Sequence, residues 1–166
     1  MKSNNRPQEA NGQTMPEIKT VQLKKFILST DKTGIELPDT IIRTSHECAQ
    51  LCRHIHRKEG NDFQEFFYVM FLNRANRITG YYVASMGGVT GTVADPRLIV
   101  KAAALADCVS VVLFHNHPSG STKPSRADEQ LTAKIKEAFS YFDITVLDHV
   151  ICGDDQYYSF ADEGIL

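Results

Sequence analysis

The sequence predicts an α/β fold in which a mixed sheet is flanked by helices, and three observations predict it. The hydrophobic period changes repeatedly along the chain, giving the order strand, helix, hairpin, helix, strand, helix, strand. The stretch Val109 to Phe114 is largely apolar and β-branched, the composition of a strand covered on both faces. Finally, 166 residues with 42% hydrophobic content suffice for one core and leave little for a second.

Residues 1–16 are polar, with almost nothing to bury, and are expected to be a disordered tail ahead of one domain spanning 17–166. Val21, Leu23, Phe26, Ile27 and Leu28 read as a strand between Ile18 and Ser29, followed by a turn from Thr30 to Gly34. Ser45 is the expected cap of a helix reaching about Lys58, with Cys48, Leu51, Cys52 and Ile55 on its inward stripe. His46, His54 and His56 share this helix, but His54 and His56 project roughly 160° apart at ~100° per residue, so core packing explains the cysteines better than a metal does.

Phe63 to Leu72 and Arg77 to Ser85 form an expected hairpin about the turn Asn73 to Asn76. Met86 to Thr92 is glycine-rich yet lacks the spacing and lysine of a phosphate-binding loop, so a flexible segment beside a groove is expected. Asp95 followed by Pro96 starts a helix, with Leu98, Ala102, Leu105 and Ala106 facing inward. A strand from Val109, a broken loop at Pro118, Gly120 and Pro124, and a helix from Ser125 follow. That helix is expected to bury Leu131, Ile135, Ala138, Phe139 and Phe142. Ile144 to Cys152 is a further core strand, and Tyr157 to Phe160 a last short one.

Charge and cysteine content narrow the function. With 18 basic and 20 acidic residues the net charge is −2, which does not support the broad positive footprint of a nucleic-acid binder. The four cysteines, Cys48, Cys52, Cys108 and Cys152, show no dense spacing and are expected to be reduced thiols. No signal-like apolar region opens the chain, and no run approaches the ~18 apolar residues of a membrane span. A cytoplasmic protein without a membrane partner is expected.

The chemistry is concentrated at the end of the strand that begins at Val109. His115 and His117 are two residues apart, so on a continuing strand their imidazoles point the same way. Asp128 falls in the first turn of the next helix and can return its carboxylate to them. Two histidines and one carboxylate leave a fourth tetrahedral position open, the arrangement of a catalytic rather than a closed structural zinc site. Ser125 and Asp128 also fit a variant capping box, a purely structural reading. Glu65 is the lone charge on its strand, on the face of Phe67, Val69 and Phe71, and needs a proton, metal or hydrogen bond to be buried there. It can equally be a strand-edge glutamate reaching water. Asp148 and His149 interrupt a core strand; they can orient ligands or bond within the core.

The spacing His-x-His, seven residues, Ser, two residues, Asp resembles the JAMM signature of the JAB/MPN metalloproteins. The fuller run H-N-H-P-S-G-S-T-K-P-S-R-A-D, with L-D-H-V-I-C-G and Y-Y-S-F-A-D-E-G after it, is similar to the RadC branch of that group, from about Pro38 to the C-terminus. The resemblance implies the JAB/MPN fold, itself similar to the cytidine deaminase fold. Deaminase chemistry is not expected, because the chain has no P-C-x-x-C pair.

It further implies one zinc per chain held by His115, His117 and Asp128. Glu65 stands where JAB proteins place an upstream glutamate and would be the general base, and Ser125 would donate to the developing oxyanion. The implied activity is a zinc-dependent hydrolase in which metal-bound water attacks a peptide, isopeptide or other amide bond of a peptide-like substrate. The alternative is a DNA-repair or mobile-element accessory protein of the RadC type, binding a partner or nucleic acid without peptidase activity. A homodimer is compatible with either.

Overall fold

The computed structural model describes residues 30, 34–37, 41–87 and 94–166. The expected tail, the first strand from Ile18 to Ser29 and nearly all of the glycine-rich loop lie outside them. The described chain runs α1 (Ser45–Glu59), β1 (Phe66–Leu72), β2 (Ile78–Met86), α2 (Pro96–Leu105), β3 (Ser110–Asn116), α3 (Arg126–Ser140), β4 (Thr145–Cys152) and β5 (Tyr157–Ser159). The strands form one sheet in the order β2-β1-β3-β4-β5. All neighbours are antiparallel except β3 and β4, which are parallel because α3 carries the chain back between them. The fold is therefore a mixed α/β sheet with helices on both faces.

Alternation along the strands divides the core. Phe66, Tyr68, Met70 and Leu72 of β1 pack with Val112 and Phe114 of β3 under α1, which contributes Cys48, Ala49, Cys52 and Ile55. Phe67, Val69 and Phe71 face the other way, with Val111 and Leu113, against Ile99 and Ala103 of α2 and Ile135 and Phe139 of α3. Every residue of β1 and β3 is buried, which is why both read as nearly continuous apolar runs. All four cysteines are free and buried, as core residues are. No helix among the described residues is long and apolar enough to cross a membrane.

Several local expectations need correction. The cap of α1 is Thr44, whose side chain accepts from Glu47 N–H, while the Ser45 hydroxyl donates to Asp162 Oδ1 at 2.8 Å. β1 begins at Phe66, because the Asn61 side chain accepts from Phe63 N–H at 3.0 Å and turns the chain, leaving Phe63 82% exposed. Glu65 thus sits just before the strand. On α2 Ala102 and Ala106 pack partly buried against the core as expected, but the fully buried positions are Ile99 and Ala103, and Leu98 is exposed. Phe142 is also exposed, since α3 stops at Ser140 and Asp143 takes a positive φ of 54° that turns the chain away.

Candidate metal centre

β3 delivers the first histidine. His115 is fully buried, pairs with Phe67 of β1 on one side and Ile151 of β4 on the other, and stacks on the Phe67 ring. His117 lies just beyond the strand, yet its N–H still donates to Cys152 O at 3.1 Å, so the extended geometry continues long enough to keep both imidazoles on one face. Their Nε2 atoms are 2.9 Å apart. The turn that follows is closed by Gly120 N–H donating to His117 O at 2.9 Å, with Gly120 at φ 75°. Gly153 lets this loop settle on the end of β4, where any Cβ would lie 2.6 Å from Gly120 O. The settled loop presents Ser121 O to His117 Nδ1 at 2.6 Å, so Nδ1 carries the proton and Nε2 offers a lone pair.

Asp128 serves two masters with two oxygens. Its Oδ2 accepts from Ser125 N–H at 2.7 Å and from the Ser125 hydroxyl at 2.6 Å, while Ser125 Oγ accepts from Asp128 N–H at 3.2 Å. This is a full capping box at the start of α3. Oδ1 instead points to His115, 3.6 Å from its Nε2. Burial, chiefly, lowers the His115 pKa to about 4, against a smaller upward pull from Asp128, so the pair is a neutral imidazole beside a carboxylate and not an ion pair. The capping box and the approach of Asp128 to His115 therefore coexist, one on each carboxylate oxygen.

The ligating atoms of His115, His117 and Asp128 all lie within 4.8 Å of one another, and they are the one such group among the described residues. Two imidazole nitrogens and one carboxylate oxygen suit zinc, whose bonds of ~2.0–2.1 Å put tetrahedral ligands about 3.3 Å apart. The observed spacings of 2.9 and 3.6 Å bracket that value. The donor set fits a divalent cation with an open position.

Glu65 reaches the same place through register. Phe67 pairs with His115, and Glu65, two residues ahead of Phe67, brings its carboxyl within electrostatic reach of His117 and Asp128. Its carboxyl pKa is raised, mostly by burial and further by Asp128, with His117 pulling it down. Half-buried and near both ligands, Glu65 is not among the three ligating groups.

Asn116, between the two histidines, takes a role that the sequence pattern does not reveal. Its side chain points to the opposite face, where Oδ1 accepts from Phe66 N–H at 2.8 Å and Nδ2 donates to Gln64 O at 2.9 Å. It thereby clamps the residues on both sides of Glu65. An Asn in a two-histidine motif is a weak signal, because the clamp exists only once β1 and β3 have paired. Asn116→Ala leaves the buried Phe66 N–H without its acceptor and is expected to cost about 1–3 kcal/mol, read by urea denaturation; a stability unchanged from the parent would show that the clamp is dispensable.

The polar pair in β4 divides its duties. Asp148 is a core anchor: Oδ1 accepts from His149 N–H and Ala161 N–H, and Oδ2 from the Ser159 hydroxyl. His149 instead touches the site, with Nε2 2.9 Å from His115 Nδ1 and Nδ1 2.6 Å from Thr132 Oγ1.

A family model described as RadC-like JAB domain matches residues 25–165. A UPF0758 protein of Flavobacterium johnsoniae is 46% identical over 101 residues, 61% of this chain and 44% of that protein. One of Streptococcus gordonii is 39% identical over 114 residues, 69% of this chain and 50% of that protein. The UPF0758 protein YfjY of Escherichia coli is 40% identical over 103 residues, 62% of this chain and 64% of that protein. The chain spans about half the length of the curated relatives it matches.

Proposed function

Because the chain belongs to the RadC-like JAB domain family, we propose that it is a zinc-dependent hydrolase of peptide, isopeptide or related amide bonds. The observation that carries this reading is the meeting of His115, His117 and Asp128 at one point with a half-buried Glu65 carboxyl beside them. When bound, zinc polarises a carbonyl and brings the pKa of a coordinated water down to about 7.

The chain's own residues do the rest. His115, His117 and Asp128 Oδ1 would hold the ion, and the Glu65 carboxyl is near enough to feel both His117 and Asp128. Glu65 accepts a proton and returns it to the departing amine, a task suited to a carboxylate whose pKa burial has raised toward neutrality. Ser125 donates to the oxyanion by rotating its O–H away from Asp128 Oδ2, while its oxygen goes on accepting from Asp128 N–H. Rotation about one bond separates the two duties, so the cap survives the step.

The decisive measurement is elemental analysis of purified protein. One zinc per chain is expected in the parent and substoichiometric metal in His115→Ala. Equal metal in both, or none in the parent, would remove the site. Zinc retained without cleavage of any amide substrate would leave the RadC-type accessory role as the better account.

A further inference from the structure

We propose that His149, set by Thr132, is a positioning residue that dictates which nitrogen of His115 is available to a metal. The inference rests on the metal reading above and extends it to two residues outside the ligand set.

Hydrogen-bond bookkeeping leads to it. The Thr132 hydroxyl has one proton, and the Asp128 carbonyl 2.6 Å away can only accept, so the proton goes there. Thr132 Oγ1 must then accept from His149 Nδ1 at 2.6 Å. With its proton on Nδ1, neutral His149 has a bare Nε2, which accepts from His115 Nδ1 at 2.9 Å. The proton of neutral His115 is thereby held on Nδ1, and its Nε2 presents a lone pair. His117 Nε2, opposite it at 2.9 Å, is bare for an independent reason, the bond from Nδ1 to Ser121 O. Two lone pairs facing one another repel unless a cation lies between them. The relay thus builds a site that calls for a cation and gives His115 no proton with which to satisfy His117.

The surroundings hold this arrangement in place. His149 is fully buried, stacked on Phe160 with ring centroids 4.7 Å apart and edge-on to Phe67 at 5.4 Å. Phe160 is itself tied down by its N–H to His149 O at 3.1 Å. The imidazole is wholly shielded from the protein surface. The relay also starts on the backbone carbonyl of Asp128, so α3 carries one ligand and orients another. Metal-binding histidines commonly donate their second N–H to a carboxylate or carbonyl. Here the acceptor is a neutral imidazole, which adds no negative charge to the site.

Zinc affinity by chelator competition, with long-range 1H–15N imidazole spectra of the metal-free protein, tests the proposal. His149→Phe fills the space without an acceptor and is expected to weaken zinc about 10–100-fold. His149→Gln keeps both an acceptor for His115 and a donor for Thr132 and is expected to stay within a few-fold of the parent. Thr132→Val, milder in volume, is expected to weaken zinc in the same direction, and it decides the matter if His149→Phe does not fold. The spectra are expected to show His115 protonated on Nδ1. Folded His149→Phe or Thr132→Val binding zinc as the parent does, or His115 protonated on Nε2, would overturn this inference and leave the metal site standing. A parent that binds no zinc would overturn both.

Discussion

Glu65→Gln is expected to lower amide hydrolysis by about 10²–10⁴-fold, the usual contribution of a positioned proton-transfer group, while zinc content stays at the parental level. The separation of the two readouts is the informative part. Glutamine matches glutamate in shape, but its amide donates where one carboxylate oxygen accepted and cannot take up and release the proton. Metal should persist because the three ligating groups do not include Glu65. The same residue predicts the acid side of the rate profile. Burial raises its pKa, so activity should decline with falling pH earlier than an ordinary carboxylate would allow. Initial rates on a peptide or isopeptide substrate, paired with elemental analysis of each preparation, supply the comparison. A variant within a few-fold of the parent would assign the base to another group, and one that lost its zinc would make Glu65 a ligand.

The metal-free protein is expected to lose stability steeply on mild acidification. His115 has an ordinary pKa of 6.5 when exposed and about 4 when folded, with burial as the main cause. His149 is lowered well below 6.5, again chiefly by burial. A lowered histidine pKa means that the unfolded chain binds protons the folded one refuses. The associated stability is complete above pH 6.5, declines as pH falls below it, and is exhausted near the folded value. The His115 shift alone corresponds to about 3 kcal/mol, and His149 adds to it with the same sign.

Between pH 6.5 and 5 most carboxylates remain ionised, so the histidines dominate the slope. Urea titrations of chelator-treated protein across that interval provide the test. Flat stability would mean that the two imidazoles are not held neutral inside the fold. Zinc should raise the curve near neutral pH and steepen its fall in acid, because a bound cation keeps protons off the ligating imidazoles in the folded state alone and is itself displaced as those ligands protonate.

Much of this molecule is legible in local pattern. His115 and His117 can share a face because strand side chains alternate, and Ser125 with Asp128 announces the start of a helix by a rule spanning four residues. The hairpin, α2 and β3 follow equally from short-range periodicity. Where the local reading slipped, at Phe63, Leu98 and Phe142, exposure was settled by turns and helix phase that residue type does not encode.

The remainder depends on pairings between distant segments. Glu65 comes within electrostatic reach of His117 because β1 and β3 are aligned with Phe67 opposite His115. His149 depends on a bulge. Val111 pairs with Val146 but Val112 pairs with Asp148, so one extra residue of β4 shifts the alternation, and His149 rather than Asp148 follows Val146 onto the His115 side. Strict alternation would have turned that imidazole away. Spacing along a chain thus specifies which groups can act and which helix or strand carries them. Register, bulge and tautomer arise when strands choose partners, since each is set by hydrogen bonds between residues far apart in sequence.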